Sequence, residues 1–153
     1  MTRDDVDDGM VEMTDAEITG YLASQDVGVL GLPAEDAPVL RPLSFGYDGD
    51  DRLYFLYVGG DESRKARLSR PGTPARFLVY TAETAFNWRS VLLTGTVGPV
   101  SEADAETAAE TLREAWRPDA FEQASSLEAS LYQFDVDDRA GIKQLGLPPG
   151  FDE

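Results

Sequence analysis

Apolar residues recur along this chain at two spacings, and the change of spacing marks out its elements. In MTDAEITGYLASQ (13–25), Ile18, Tyr21 and Leu22 fall three and four positions apart, as on one face of a helix. Thr14 and Glu17 stand at capping-box spacing before that stripe, and Met13 and Ile18 are placed to form a hydrophobic staple around it. From residue 27 the pattern turns to short apolar runs bounded by turn residues: VGVLGL (27–32), PVLRPLSFGY (38–47), RLYFLYV (52–58), ARFLVYTA (75–82), WRSVLLTGTV (88–97) and SLYQFDV (130–136). Each reads as a strand. YDGDDR, between the second and third, contains the Asp-Gly signal of a hairpin turn. Pro42 brings no N–H to a ladder, so its run belongs at an edge or a bulge. RLYFLYV is apolar at nearly every position and reads as buried on both faces, with Tyr54, Phe55 and Tyr57 as packing. Helical spacing returns in SEADAETAAETLREAW (101–116), capped by Ser101, stopped before Pro118, with Ala108, Leu112 and Ala115 inward and Trp116 docking it to the core. Trp88, at a strand start, is read as core as well.

Strands in this number, with helices at the ends and between the third and fourth, predict a single α+β domain over residues 13–153. Its expected architecture is a six-stranded antiparallel split barrel with a few peripheral helices. At 153 residues, 42% of them hydrophobic, the chain is long enough to bury a real core. The opening residues 1–12 (MTRDDVDDGMVE) are polar and acidic, and are expected to form a mobile tail. They resemble neither a signal peptide nor a transit peptide, and no apolar run is long enough to cross a bilayer, so a cytoplasmic protein is expected.

Composition narrows the chemistry. The chain has no cysteine and no histidine. That excludes disulfides, thiolate metal sites, a Cys nucleophile and a Ser-His-Asp triad, and removes the commonest general base near neutral pH. Asp and Glu number 29 against 13 cations, of which only Lys65 and Lys143 are lysine, and the net charge is −16. A dense carboxylate surface poor in lysine points to adaptation to high salt, where self-repulsion is screened. Nucleic acid is excluded as an expected partner on the same ground.

The charge is not evenly spread. Residues 64–101 hold one acid, Glu83, and six cations: Arg64, Lys65, Arg67, Arg70, Arg76 and Arg89. The densest part is ESRKARLSR (62–70). Ser63 is placed to cap a short helix through Arg70, ended by PGTP. Two readings are open: a phosphate site built from these cations and backbone N–H groups, or arginines paired with carboxylates elsewhere on the surface. Cations in a first helical turn oppose the helix dipole, and an anion shared with the N–H groups explains their position better.

RPLSFGYDGDDRLYFLY, ESRKARL, RFLVY and WRSVLLTGTV, in that order, resemble the pyridoxamine 5′-phosphate oxidase-like family of FMN-binding split barrels, over roughly residues 14 to 137. The most specific element is Ser63-Arg64-Lys65, similar to the family's Ser-Arg-Lys phosphate motif. The resemblance implies a homodimer with FMN in a groove between subunits. It implies that Arg64 and Lys65 bind the FMN phosphate with help from Ser63. Arg41, Pro42, Leu43 and Ser44 would line the flavin ring, with further contacts from Val58 and Gly59, and from Arg89 and Ser90 on a later strand. Where the oxidase proper shows Arg-Gln-Val-Arg, this chain has Arg89-Ser90-Val91-Leu92. The oxidase's Arg-x-His element for the substrate phosphate has no counterpart, because there is no histidine. The expected activity is therefore flavin redox chemistry on a small molecule other than pyridoxamine 5′-phosphate.

Three alternatives accompany that expectation. Related split barrels bind the deazaflavin F420, whose side chain also carries a phosphate. Others bind haem, which here would need an unusual axial ligand such as tyrosine. A flavin carrier or sensor without turnover is the non-enzymatic reading. No metal site is expected: DGDD (48–51) has Arg52 at the fifth position of a calcium loop and Gly59 at the twelfth, and DVDD (135–138) has Arg139 at its fifth.

Overall fold

The computed structural model describes residues 10–59, 63–116, 120–125, 127 and 129–146. The elements in chain order are β1 (Met10–Glu12), α1 (Asp15–Ser24), β2 (Val27–Leu32), β3 (Val39–Ser44), β4 (Gly46–Tyr47), β5 (Arg52–Val58), α2 (Arg64–Leu68), β6 (Thr73–Thr84), β7 (Asn87–Pro99), a 3₁₀ turn (Glu102–Asp104), α3 (Ala105–Ala115), α4 (Ala120–Ser125) and β8 (Ala129–Leu145). All strand pairs are antiparallel, in the order β3-β2-β6-β7-β8-β5-β4, with β1 added against β8. The result is a curled α+β sheet, as the apolar pattern predicts.

The strand count is eight among the described residues, not six. Two differences account for it. The run 38–47 breaks at Phe45 into β3 and β4, and Met10–Glu12 pair with Gln144–Ile142 as β1. Those three residues are thus part of the sheet rather than of a tail; the rest of the expected tail, residues 1–9, lies outside the described residues. β8 is also much longer than the predicted 130–136, because DRAGIKQL continues the ladder with β7 and β1. The helix α4 was not expected, and the helix from Ser101 is split into a 3₁₀ turn and α3.

The capping box forms as spaced: Thr14 Oγ1 accepts from the Glu17 backbone N–H at 3.1 Å, and the Thr14 N–H donates to Glu17 Oε1 at 3.0 Å. Met13 and Ile18 both pack over Gly141 of β8, where a Cβ would lie 2.9 Å from each. Burial alternates along β6 and β7, so that Phe77, Val79, Val91 and Leu93 fill the inside of the curl with Leu30, Phe45, Phe55 and Phe134. Aromatic rings dominate that core, with Phe77 against Phe45, Phe55 and Phe134 at centroid separations of 5.3, 5.1 and 6.3 Å.

β5 is buried on both faces. Leu53, Phe55 and Tyr57 face the main core, while Tyr54 packs in a second cluster with Ala108, Ala109 and Leu112 of α3 and Phe121 of α4. Ala115, expected inward, is exposed; Ala109 takes its place. Trp116 packs on this second cluster and donates its indole N–H to the Phe45 carbonyl at 3.3 Å. It thereby fastens the end of α3 to the segment where the chain crosses from β3 to β4.

Candidate functional site

β3 and the β5–β4 hairpin lie at opposite ends of the sheet order, so the curl leaves a seam between them. A cavity of about 510 Å³ occupies this seam. Pro42, Leu43 and Ser44 of β3 form one wall, and Leu56 and Val58 of β5 form another. Trp116, Ala120 and Ala124 come from α3's end and α4, Asp26 from the turn before β2, and Lys65 from α2. Most of the lining is apolar, with one cation and one carboxylate. A second cavity of about 380 Å³, lined by Gln25, Val27, Val29 and Tyr80, shares Asp26 and Pro42 with the first and extends it onto the outer face of β2.

Local sequence explains α2. Ser63 caps it, its Oγ accepting from the Ala66 N–H at 3.1 Å, and Ser69 closes it after five residues. The Ser63 hydroxyl proton remains available to a ligand. Gly59 ends β5, where a Cβ would stand 3.8 Å from Ser63 Cβ, so the two ends of this loop meet. Lys65 is half-buried, with Nζ 4.9 Å above the centre of the Tyr57 ring. Burial, and secondarily the nearby Arg41 guanidinium, hold the Lys65 ammonium below the usual lysine range.

The ion pairs discriminate between the two readings of the cationic segment. Among the described residues, Arg52 pairs with Asp135 (2.7 Å) and Asp104 (3.7 Å), Arg113 with Glu122, Glu110 and Glu106, and Lys143 with Glu17. None of the six cations between residues 64 and 101 makes such a pair with a described carboxylate. Among the described residues, the surface ion-pair reading therefore finds no carboxylate partner for these cations.

The structure brings together Pro42, Leu43, Ser44, Val58 and Lys65 in one cavity, with Ser63 and Gly59 beside Lys65's helix. Arg41 is exposed on β3 close enough to bias Lys65, and its Nη1 donates to the Leu40 carbonyl at 3.0 Å. Arg64 is exposed next to Lys65. Arg89 and Ser90 are not in the cavity. They lie on β7 opposite Thr81 and Tyr80 of β6, with β2 and β6 between them and β3. Asp26, Leu56, Trp116, Ala120 and Ala124 complete the lining without having been expected as site residues.

Volume and donors fit a planar aromatic group with an anionic tail: the cavity is within the usual 300–1,000 Å³ of small-molecule sites, with apolar walls and a cation at one end. No cluster of three or more potential metal ligands occurs among the described residues.

A curled antiparallel sheet with a cation-edged seam defines a split-barrel protein. The family model described as pyridoxamine 5′-phosphate oxidase matches residues 14–143, and the chain belongs to that family. No curated protein matches the sequence. Among solved structures, the chain is similar to a FAD-binding protein from Mesorhizobium loti (19% identity, TM-score 0.68, covering 89% of this chain and 99% of that one). It is also similar to the FAD and heme binding protein from Mycobacterium smegmatis (18%, 0.73, 94% and 77%). A flavocytochrome from Azotobacter vinelandii matches at 16% identity and TM-score 0.69, over 99% of this chain and 76% of that one. At these identities the likeness concerns the fold.

Proposed function

We propose that this protein binds a flavin, with FMN as the preferred form, and serves as a flavin-dependent oxidoreductase. The observation that carries the reading is the seam cavity, edged by a segment of cations that have no carboxylate partners among the described residues. Flavin-binding proteins among the structural neighbours, and the family itself, support the same reading.

In this reading Lys65 and Arg64 hold the phosphate, with the Ser63 hydroxyl donating a further hydrogen bond. Pro42, Leu43 and Ser44 offer an edge of exposed backbone and apolar surface to the ring, and Val58 and Leu56 close the other side. A bound flavin supplies the hydride-accepting centre, which is why a chain without histidine can serve a redox reaction. The protein's own part is to fix the phosphate, orient the ring and keep water from the apolar walls. Without an Arg-x-His element, pyridoxamine 5′-phosphate is not the substrate we propose.

The second part of the proposal is a homodimer through the outer face of the sheet. Paired residues share a face, and one such row runs Pro42, Val29, Leu78, Leu92, Ala140. The next row includes Ser44, Val27, Tyr80, Ser90 and Ile142. This face holds Tyr80 and Val27 more than half exposed, and the one carboxylate among the paired residues of these two rows is Glu12 of β1, opposite Ile142 at the far end of the second row. For molecules each carrying −16, the part of this face away from Glu12, from Pro42 to Ala140 and from Ser44 to Ser90, offers a second copy uncharged surface. The smaller cavity opens on this face, so Ser90 of β7, distant from the seam within one chain, would approach it from the other.

The test is the visible spectrum of the purified protein in high salt, followed by fluorescence titration with FMN. A bound flavin spectrum or saturable quenching is expected. Absence of both, with F420 binding instead, would overturn the choice of flavin.

A further inference from the structure

Tyr57 and Ser69 are both buried and both polar, and the redox reading uses neither. Ser69 Oγ donates to the Lys65 backbone carbonyl at 2.8 Å, and lies 2.8 Å from the Tyr57 hydroxyl. A serine hydroxyl has one proton to give. The Tyr57 O–H must therefore donate to Ser69, and the chain of bonds runs one way: Tyr57, Ser69, the Lys65 carbonyl. The same tyrosine ring carries the Lys65 ammonium on its face at 4.9 Å. Its position is set by a stack on Tyr132, with centroids 3.9 Å apart and planes within 14°. One rigid tyrosine thus fixes Lys65 at both ends, backbone and ammonium.

We infer that Tyr57 and Ser69 are positioning residues that set Lys65 for a phosphate-bearing ligand in the seam. The inference rests on the phosphate role given to Lys65 above. A five-residue helix, with a glycine at the near end of its loop, has little stiffness of its own, and a phosphate contact depends on the ammonium being held in place. The latch supplies that order from the barrel core. Among the described residues no buried side-chain polar atom is left unsatisfied: the Tyr57 and Ser69 hydroxyls both have partners, and α2 gains an attachment besides its cap.

The experiment compares FMN with riboflavin, which lacks the phosphate, in fluorescence titrations of the full chain. Tyr57→Phe keeps the ring and its stack but removes the donor. Ser69→Ala removes the link, and Ser69→Thr keeps a hydroxyl. Tyr57→Phe and Ser69→Ala are expected to weaken FMN about threefold to tenfold while leaving riboflavin affinity unchanged, and Ser69→Thr to restore most of the loss. A general loosening of the fold would weaken both ligands equally. An unchanged FMN-to-riboflavin ratio in Tyr57→Phe and Ser69→Ala, with Lys65→Ala abolishing the preference for FMN, overturns the latch and leaves the phosphate role standing. An unchanged ratio in Lys65→Ala as well overturns both.

Discussion

Lys65 is the side chain with most to lose by substitution. Truncating it to alanine removes a charge-assisted hydrogen bond worth about 1.5–3 kcal/mol, so FMN affinity should fall roughly tenfold or more with the fold intact. Fluorescence titration alongside circular dichroism checks both halves of that statement. The lowered lysine titration adds a pH signature. Burial first, then Arg41, makes Lys65 lose its proton earlier than an ordinary lysine. Just below the ordinary lysine range, the folded chain then holds fewer protons than the unfolded one, so the ligand-free protein gains stability from this group as pH rises. Phosphate binding needs the charged form, and FMN affinity should fall over that same window. Lys65→Arg, which does not titrate there, should lose this alkaline decline. Tyr57 runs the other way. Burial pushes its hydroxyl up to about 12, so its contribution to stability is complete below the ordinary tyrosine value of 10 and is lost as pH rises toward 12. Denaturant midpoints across that range should decline less in Tyr57→Phe.

At the scale of elements, close approach of β7 and β8 makes the sharpest prediction. Their register shifts between Thr94 and Gly95, and a Cβ on Gly95 would lie 1.9 Å from the Asp135 carbonyl oxygen. Backbone cannot step aside there, so Gly95→Ala should cost about 3 kcal/mol or more, measured by chemical denaturation. At Gly141 the obstructing atoms are Met13 and Ile18 side chains, and Gly141→Ala should cost nearer 1 kcal/mol. The same strands show where sequence is legible and where it is not. β2, β5, β6 and β7 follow from dense β-branched and aromatic runs, and α1 from its capping box, because those signals are local. The second half of β8, DDRAGIKQL (137–145), opens with three charges in a row followed by Ala and Gly and has no strand-like apolar pattern, and its pairing with β7 and β1 on either side holds it in the sheet. The site divides in the same way. Pro42, Leu43, Ser44, Val58 and Lys65 belong to contiguous motifs and could be named in advance. Asp26, Trp116, Ala120 and Ala124 reach the cavity through the packing of α3 and α4, which no short stretch encodes. Arg89 and Ser90 had a motif but not a place in this chain's cavity.

The whole molecule carries its charge in two zones, a cationic middle segment and acids almost everywhere else. Bringing two copies together doubles a charge of −16, and what opposes that repulsion is the apolar outer face and screening by salt. Leu92, 38% exposed at the centre of that face between Leu78 and Ala140, is the residue to charge. If the proposed dimer forms through this face, Leu92→Arg would set two cations against each other or against apolar surface, and light scattering should find a dimer for the parent and a monomer for the variant. Flavin affinity should fall with it if the smaller cavity is completed by the second copy. Salt separates this from a simple folding defect. The parent in molar salt should be dimeric and folded, and on dilution to a few millimolar should dissociate first and lose stability second, because the Debye length grows from about 3 Å to more than 30 Å and carboxylates across the whole surface begin to act on one another. A chain equally stable and equally dimeric at both extremes would mean that its local ion pairs, those of Arg52, Arg113 and Lys143, already offset the acidic surface. Adaptation to high salt would then have no part in explaining why so many carboxylates are there.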